Sequence, residues 1–378
     1  MTDPRETHLR LLFTASEKDV TDDILPDLLS FSYEDKETSE PDEISLLMKD
    51  ETGKWASSWK PDGGEIVDAY LAAGDVTSGA GDELYCGRFY ADSLRVSGSP
   101  RQFEMRAVST PLAQPIRRRL ITKAWETRTL KGIAQEIADD AGMALFYDVE
   151  SDPQYDRRDQ KSESNLAFLQ RLCDDEGFSI KVTDDRIVIF DQSSYEKKTP
   201  IKTIELGVSD VLSWSFESQQ SETYKSCTVA WRDTKKKVKG TAGGYDFEQK
   251  YQERPVEDEV ADMYKLDAQA EKNPAVNFFR YEDPTVGDSG QEYKVKKRVT
   301  SKAEAERLAK ATLRKLNRRS VTGSLSVVGD PSLLAGCVIE CKGFGSFDGN
   351  FIIQSASHSV SGSGYVTTLS LRRVNANY

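Results

Sequence analysis

The sequence predicts an α+β fold that is mainly β, in which two β-rich units bracket a small α+β unit. Two observations support this division. Short alternating segments separated by Gly- and Pro-containing turns fill both ends of the chain, a pattern typical of small barrels or sandwiches. Between them, apolar residues recur every three or four positions, as in amphipathic helices. A polar stretch interrupts the second β-rich unit.

The first β-rich unit is predicted over residues 1–117. Apolar and polar residues alternate over 9–13 and again over 44–48, which indicates half-buried strands. A further strand pair is predicted at 84–90 and 102–108. Several short strands at this spacing favour a small barrel or sandwich for this unit.

The α+β unit is predicted over residues 118–200, and its first helix has the clearest boundaries. An apolar stripe runs from Leu130 to Ala141 on one helical face. Either Thr127 or Thr129 can accept a backbone N–H as the N-cap, and Gly142 can end the helix in the left-handed region.

A second helix and a hairpin complete this unit. The helix is predicted from about residue 164 to 176, with Ser162 or Ser164 as its cap and Gly177 after its last turn. Two strands within residues 178–190, joined by a Thr-Asp-Asp turn, predict a β-hairpin.

The second β-rich unit is predicted over residues 201–239 and 299–378, and it includes a helix. Ser301 and Glu304 form a capping box at the start of that helix, in which each side chain accepts a backbone N–H. The polar residues 240–298 between the two parts are predicted to be an insertion or an extended loop.

Composition excludes several classes of protein. The chain has 378 residues, with 63 acidic and 51 basic side chains and a net charge of −12, so it is a poor candidate for gripping a phosphate backbone by charge alone. Its sequence has no apolar run long enough for a membrane span and no signal peptide at its start, which predicts the absence of a membrane anchor. Five scattered cysteines indicate a reducing cytoplasm, and two histidines leave little material for a histidine cluster.

Cys337, Cys341 and His358 are the residues that most resemble chemical sites. Within one strand the two cysteines would lie about 13 Å apart, too far for a disulfide and awkward for one metal ion, so buried apolar thiols are expected. The chain has no Gly-x-Ser-x-Gly nucleophile motif that could act together with His358. His358 is therefore expected to be a hydrogen-bonded structural residue.

Two other features have simple structural interpretations. The glycines in 343–349 lie between predicted strands with no helix behind them, so this segment is expected to be a loop and not a phosphate site. The basic runs at 235–237 with Lys239, and at 117–119, are expected to be solvated, with contact to an acidic partner as the functional alternative. No catalytic, cofactor-binding or metal-binding residue is predicted, and no cofactor.

The order of several segments resembles a known family. Several segments are similar to phage late control D proteins, namely residues 129–142 and 160–178, the glycines and aromatics of 329–369, and the Gly-Arg-Phe to Gly-Ser-Pro stretch at 87–100. These are tail (baseplate) hub proteins, and they are related to the N-terminal part of type VI secretion spike proteins. The resemblance leaves out residues 240–298.

The resemblance implies a structural protein and not an enzyme. It implies a homotrimer whose two tail-tube-like β-barrels per subunit form a ring that adapts a hexameric tube to a trimeric central spike. The implied partners are the tail tube protein, the central spike protein, baseplate or wedge proteins and, as a further candidate, the tape measure protein. Because the chain ends shortly after Arg372, we expect the spike to be a separate protein. DNA would pass only as cargo, and acidic side chains facing the lumen would reduce its sticking.

The expected location is the virion tail or baseplate, or an injection particle, made and assembled in the bacterial host cytoplasm. Two alternatives remain open at this point. One is a tail-associated peptidoglycan or glycan hydrolase with paired carboxylates about 5–9.5 Å apart. The other is a soluble β module that binds carbohydrate or protein. The sequence does not separate a phage from a bacteriocin or another injection particle, contractile or not.

Overall fold

The computed structural model describes most of the chain, namely residues 7–13, 18–38, 40–57, 60, 65–73, 82–110, 115–183, 185–219, 223–232, 277–284, 286 and 290–374. The strands are β1 (Thr7–Phe13), β2 (Lys18–Asp19), β3 (Leu28–Lys36), β4 (Glu43–Lys49), β5 (Ile66–Ala73), β6 (Asp82–Ser97), β7 (Gln102–Val108), β8 (Leu120–Thr129), β9 (Ala144–Asp148), β10 (Gln154–Ser164), β11 (Ser179–Val182), β12 (Arg186–Phe190), β13 (Lys202–Glu205), β14 (Val211–Ser218), β15 (Tyr224–Trp231), β16 (Asn277–Glu282), β17 (Gln291–Val299), β18 (Val321–Val328), β19 (Val338–Lys342), β20 (Gly349–Ser361) and β21 (Gly364–Arg373). The helices are α1 (Thr21–Ile24), α2 (Pro115–Arg118), α3 (Leu130–Ala141), α4 (Asn165–Glu176), α5 (Gln192–Glu196) and α6 (Lys302–Asn317).

The described residues divide into two compact units. Unit 1 contains those of 1–221 and 318–374, and unit 2 contains those of 222–317. Most strands of unit 1 belong to one sheet in the order β14-β18-β21-β20-β3-β4-β7-β6-β5-β1-β2, with β19 pairing β20 and β13 pairing β19.

The N-terminal and C-terminal parts of unit 1 share this sheet through strands β3 and β20. Ser361 pairs with Ser30 at one end of the antiparallel ladder and Ser355 with Lys36 at the other. Because the 13-residue strand β20 also pairs with β21, the sheet continues from one part into the other. Among the described strands this order does not close on itself, so the predicted pair of separate barrels is not confirmed.

Each part of unit 1 has its own apolar core. The N-terminal core packs the inward residues of β1 and β3–β7, including Phe31, Leu46 and Phe89. The C-terminal core packs residues of β18–β21, including Phe351 and Leu369. The alternation of buried and partly exposed residues along β3 and β4 is the period-2 pattern that the sequence predicts for half-buried strands.

The α+β part of unit 1 contains both predicted helices, and local chemistry sets their ends. The hydroxyl oxygen of Thr129 accepts the backbone N–H of Gly132 at 3.1 Å, so Thr129 is the N-cap of α3. Ser164 caps α4 in the same way. Gly142 and Gly177 end the two helices with φ of 67° and 81°, a region that favours glycine.

The predicted hairpin is present as β11 and β12, and three further strands accompany it. Strand β9 pairs in parallel with β12, while β8 and β10 form a separate two-stranded ribbon. The ribbon was not predicted because polar and charged residues fill most of its positions and only a few side chains, such as Trp125 and Tyr155, are buried. Its apolar alternation is therefore too weak to recognise in the sequence.

Unit 2 is a three-stranded sheet in the order β16-β15-β17, with helix α6 packed against it. Cys227 and Val229 of β15 are fully buried, as are Ala309 and Leu313 of α6. The Ser301 hydroxyl accepts the Glu304 N–H at 3.2 Å, and the Glu304 carboxylate accepts the Thr300 N–H at 3.3 Å.

This arrangement differs from the predicted assignment of residues 201–239 and 299–378 to one barrel. Strand β15 and helix α6 pack with β16 and β17 in unit 2. Residues 277–282 and 291–299 are strands, although all of the first and all but the last residue of the second fall within the segment 240–298 predicted as an insertion or loop. Their polar residues conceal the strand pattern, since only one face of the sheet meets α6. The remaining residues 240–276 lie outside the described part of the chain.

Candidate functional site

Lys181 joins distant parts of unit 1. This residue of β11 places its Nζ 2.8 Å from Oδ1 of Asp35 and 3.1 Å from Oδ1 of Asp42. The backbone N–H of Ala335 donates to the second oxygen of Asp35 at 2.8 Å. The N-terminal, central and C-terminal parts of the sequence therefore meet at one largely buried ion cluster.

Burial and charge act in opposite directions on the pKa values of this cluster. Burial raises the pKa of Asp42 to about 6, although the charge of Lys181 acts against it. Burial lowers the pKa of Lys181, but the charges and hydrogen bonds of Asp35 and Asp42 more than offset it and leave the pKa raised. The carboxylates of Asp35 and Asp42 thus bind the amine of Lys181 and accept hydrogen bonds from backbone N–H groups inside the fold.

A second buried ion cluster surrounds Arg372 on β21. Its guanidinium donates to Glu37, just after β3, at 3.2 Å, and to Glu196 at the end of α5. All three side chains are at least nine-tenths buried. Burial raises the pKa of Glu37 against the charge of Arg372, and burial lowers the pKa of the nearby Arg318. This cluster also connects three separate parts of the sequence.

His358 lies at the seam between β20 and β3. It is fully buried, pairs with Tyr33 across the two strands and stacks on the ring of that tyrosine at a centroid distance of 5.8 Å. Its Nδ1 is 2.7 Å from the hydroxyl of Tyr365. Burial lowers the pKa of His358 to about 4, so the ring is neutral at physiological pH. A neutral, hydrogen-bonded imidazole suits a structural position.

The two cysteines considered as metal ligands lie in the C-terminal part of unit 1. Cys341 is fully buried within the apolar core, and burial raises the pKa of its thiol to about 12. Cys337 is partly buried, and all five cysteines are free thiols. Within the described ranges, no three His, Cys, Asp or Glu side chains come close enough to hold one metal ion.

The glycine-containing segment at 343–349 connects β19 to β20 as a loop with a short 3-10 turn. Of the basic run 117–119, Arg118 and Arg119 are exposed as expected, whereas Arg117 is partly buried and burial lowers its pKa. The run at 235–237 and Lys239 lie outside the described residues. Among the helices that are described, none combines the length and apolarity needed to cross a membrane.

Five exposed apolar side chains lie on strand β14, the last strand of the large sheet, or on the segments next to it. We name this surface the β14 patch and define it by five residues, which are Leu206, Val208, Leu212, Trp214 and Val328. Trp214 is 48% exposed, and its ring meets Phe344 edge-on at 5.4 Å. Such exposure of a large aromatic side chain within a regular strand is typical of a protein-binding surface.

The sequence reasoning did not identify the ion clusters or the β14 patch. Asp35 lies between two other charged residues and Arg372 precedes a second arginine, while Lys181 is the one charge in β11. Nothing local distinguishes such a buried charge from a solvated one. Leu212 and Trp214 have the spacing of core residues. The available signal was that they lie two residues apart with one serine between them, and this spacing is equally typical of a half-buried strand.

Comparison with known proteins agrees with the resemblance to tail hub proteins that the sequence indicates. A family model described as phage tail baseplate hub (GPD) matches residues 93–364, more than half of the chain. A probable baseplate hub protein of Escherichia phage 186 is 23% identical over 371 residues, which cover 95% of this chain and 92% of the relative. The counterpart of Escherichia phage P2 is 24% identical over 368 residues, covering 94% and 90%.

A solved structure shows a similar fold. It is the 43 kDa tail protein of prophage MuSo2 from Shewanella oneidensis, with a TM-score of 0.67 and 12% identity, covering 98% of this chain and 99% of that chain. The fold is therefore shared over nearly the whole length of both proteins. From the extent of the family match, the chain belongs to the phage tail baseplate hub family.

Proposed function

We propose that this chain forms a homotrimeric ring at the axis of a tail, where it adapts the hexameric tail tube to the trimeric central spike. The proposal rests on the family match and on the large sheet that joins two β-rich parts in each chain. Three copies with two such parts each would present six similar faces to the tube and three equal ones to the spike.

The sheet that continues through β3 and β20 is the observation that carries this proposal. A chain that matches sixfold and threefold neighbours has to hold its two β-rich parts at a fixed spacing. The β3–β20 ladder, Lys181 with its two carboxylates and Arg372 between Glu37 and Glu196 all join separate parts of unit 1. Together they favour a rigid adaptor over a hinged one.

The proposed partners are the tail tube protein, the central spike protein and baseplate or wedge proteins, with the tape measure protein as a further candidate. DNA would pass through the ring only as cargo, and assembly would take place in the bacterial host cytoplasm. The relatives and the described residues provide no observation that favours the hydrolase alternative, because the closely placed Asp35 and Asp42 are occupied by Lys181.

Mass photometry and electron microscopy test this function. The purified protein, alone or mixed with its tube and spike proteins, should form a particle of three 42.3 kDa chains with threefold symmetry. In the assembled tail, a label on this chain should lie on the axis between tube and spike. A label found away from the axis, or a chain that stays monomeric with both partners present, would contradict the proposal.

A further inference from the structure

Three consecutive arginines run from the end of helix α2 to the start of strand β8. Arg118 and Arg119 are exposed, and Arg117 is partly buried. Most exposed arginines of unit 1 pair with a carboxylate, as Arg157 does with Glu126 at 3.0 Å. None of the three arginines of this run forms an ion pair with a described residue. The run is therefore a local surplus of positive charge in a chain whose net charge is −12.

The first carboxylate of the β8–β10 ladder does not neutralise this surplus. Glu163 pairs with Ile121, the second residue of β8, but its two oxygens accept hydrogen bonds from the Arg171 guanidinium at 3.3 and 2.5 Å. The Glu163 charge is thus already matched within the fold. Lys161, two residues before Glu163, is exposed and adds a further cation that has no ion pair with a described residue.

Arg117 lies closer to the protein interior than its two neighbours. Helix α2 packs against α3 and α4, and Ile116 is buried in their core. The Nε of Arg117 is buried and has no hydrogen-bond partner among the described residues. A partly buried cation without a counter-ion is unfavourable, so an anion bound at the exposed arginines beside it would also stabilise Arg117.

An exposed apolar side chain follows the arginines directly. Leu120 is 67% exposed at the end of the ladder, where it pairs with Ser164. We name this surface the basic patch and define it by five residues, which are Arg117, Arg118, Arg119, Leu120 and Lys161. It offers charge and apolar area side by side.

We propose that the basic patch binds an acidic peptide segment of another protein, one that carries an apolar residue among its carboxylates. The guanidinium groups of Arg118 and Arg119 would bind carboxylates in the bidentate manner typical of arginine, and Leu120 would contact the apolar residue. This inference goes beyond the proposed ring and does not depend on the chain being a trimer.

The alternative anion, duplex DNA, fits the patch less well. A long polyanion would extend past these few cations onto a molecule of net charge −12, which repels it. Leu120 would also find no apolar counterpart on a phosphate backbone. A short acidic peptide interacts with the local charge alone, and it can supply the apolar contact.

Fluorescence anisotropy with the full chain tests binding directly. The probe is a labelled peptide of sequence Glu-Glu-Asp-Leu-Glu-Glu-Asp, and duplex DNA of the same charge is compared with it. The peptide should bind at low ionic strength and bind more weakly as salt is added. A wild-type protein that does not bind the peptide, or that binds the DNA more tightly, would overturn the proposal.

A pair of double variants separates the patch from the total charge. Arg118→Gln with Arg119→Gln should weaken peptide binding by roughly tenfold or more. The matched control is Arg157→Gln with Arg186→Gln, which removes the same charge from two exposed arginines that already have carboxylate partners, and it should leave binding within about twofold of wild type. Circular dichroism verifies that both are folded. Equal losses from the two pairs would refute a site at the patch.

The apolar contact is tested by changing both sides of it. A peptide with serine in place of leucine should bind the wild type roughly fivefold more weakly. Leu120→Ser should bind the two peptides equally well, because its half of the contact is missing. If Leu120→Ser keeps the full preference for the leucine peptide, Leu120 is not part of the site.

The partner itself is identified in the assembled tail. A photoreactive side chain replaces Leu120, tails are irradiated, and the cross-linked peptides are sequenced. A peptide of another protein that is rich in Asp and Glu supports the proposal. Cross-links to DNA, to a second copy of this chain or to a segment without excess acidic residues would overturn it, as would the absence of any cross-link.

Discussion

At the scale of single residues, buried ion pairs connect distant parts of the sequence. Lys181 joins Asp35 and Asp42, and Arg372 joins Glu37 and Glu196. Burying these charges is costly, and their mutual attraction offsets the cost only while every member is present. We infer that they specify how the parts of unit 1 dock more than they add net stability.

Arg372→Ala should therefore be strongly destabilising. The change leaves two carboxylates buried without their cation and should lower the free energy of unfolding by about 3–5 kcal/mol. Urea denaturation followed by tryptophan fluorescence measures it. The neighbouring Arg373→Ala is the control: Arg373 is partly exposed and donates to backbone carbonyls, so its loss should cost about 1 kcal/mol or less. Equal losses of stability from both changes would contradict the proposed role of Arg372 in joining these parts of unit 1.

The pKa of Asp42 predicts a defined pH dependence. Its folded value of about 6 lies above the 3.8 of an ordinary aspartate, so between these values the folded state binds the proton more readily than the unfolded state. This group therefore makes the protein more stable as pH falls from 6 toward 4, by roughly 1–3 kcal/mol. The difference in unfolding free energy between wild type and Asp42→Asn, measured from pH 4.5 to 7.5, should change in that sense. A difference independent of pH would disprove it.

At the scale of elements, short-range chemistry fixes the ends of the helices, while the partners of the strands are set by long-range contacts. Ser164 and Gly177 bound α4 as the sequence predicts. Strand β20, in contrast, contacts β19, β21 and β3, and its pairing with β3 joins residues more than 300 positions apart.

Ser164→Ala should remove the cap of α4. The lost hydrogen bond to the N–H of Ala167 should cost about 1 kcal/mol of unfolding free energy. Ser162→Ala, two residues earlier, is the control, because Ser162 is not the cap and should change stability by less than about 0.5 kcal/mol. Thermal unfolding midpoints compare the two variants, and a larger loss for Ser162→Ala would refute the assignment.

Gly329→Ala should disrupt the turn after β18. A methyl group at this position would lie 2.0 Å from the ring of Tyr365, which is hydrogen-bonded to the buried His358 and cannot move freely. We expect a loss of at least 2–3 kcal/mol or failure to fold, since such overpacking shifts the surrounding core. Gly362→Ala, where a methyl group meets nothing within 4 Å, should stay close to wild type. Melting temperatures of soluble protein distinguish the two.

At the scale of the whole molecule, unit 1 acts as one body because a single sheet crosses it. The predicted first unit, residues 1–117, would leave the β20-facing edge of β3 open if it were separated. An open edge lined by apolar neighbours favours aggregation. The two β-rich parts should therefore depend on each other for folding.

Expression of fragments tests this dependence. Residues 1–117 produced alone should aggregate, whereas the same fragment produced together with residues 118–378 should be soluble and copurify with it. Pull-down with an affinity tag on either fragment measures the association. A soluble, folded fragment 1–117 with no affinity for the remainder would show that the β3–β20 ladder is not required.

The sequence alone determined the class of the fold, the bounds of α3, α4 and the β11–β12 hairpin, and the resemblance to tail hub proteins. Those features depend on hydrophobic period, caps and turns, which act within a few residues of one another. The tertiary structure decided which strands pair, that β15–β17 and α6 form unit 2, and that Asp35, Lys181 and Arg372 are buried while Trp214 is exposed. Pairing and burial depend on contacts between residues far apart in the chain, and a local pattern has the same form whether its strand lies inside a sheet or at its free edge.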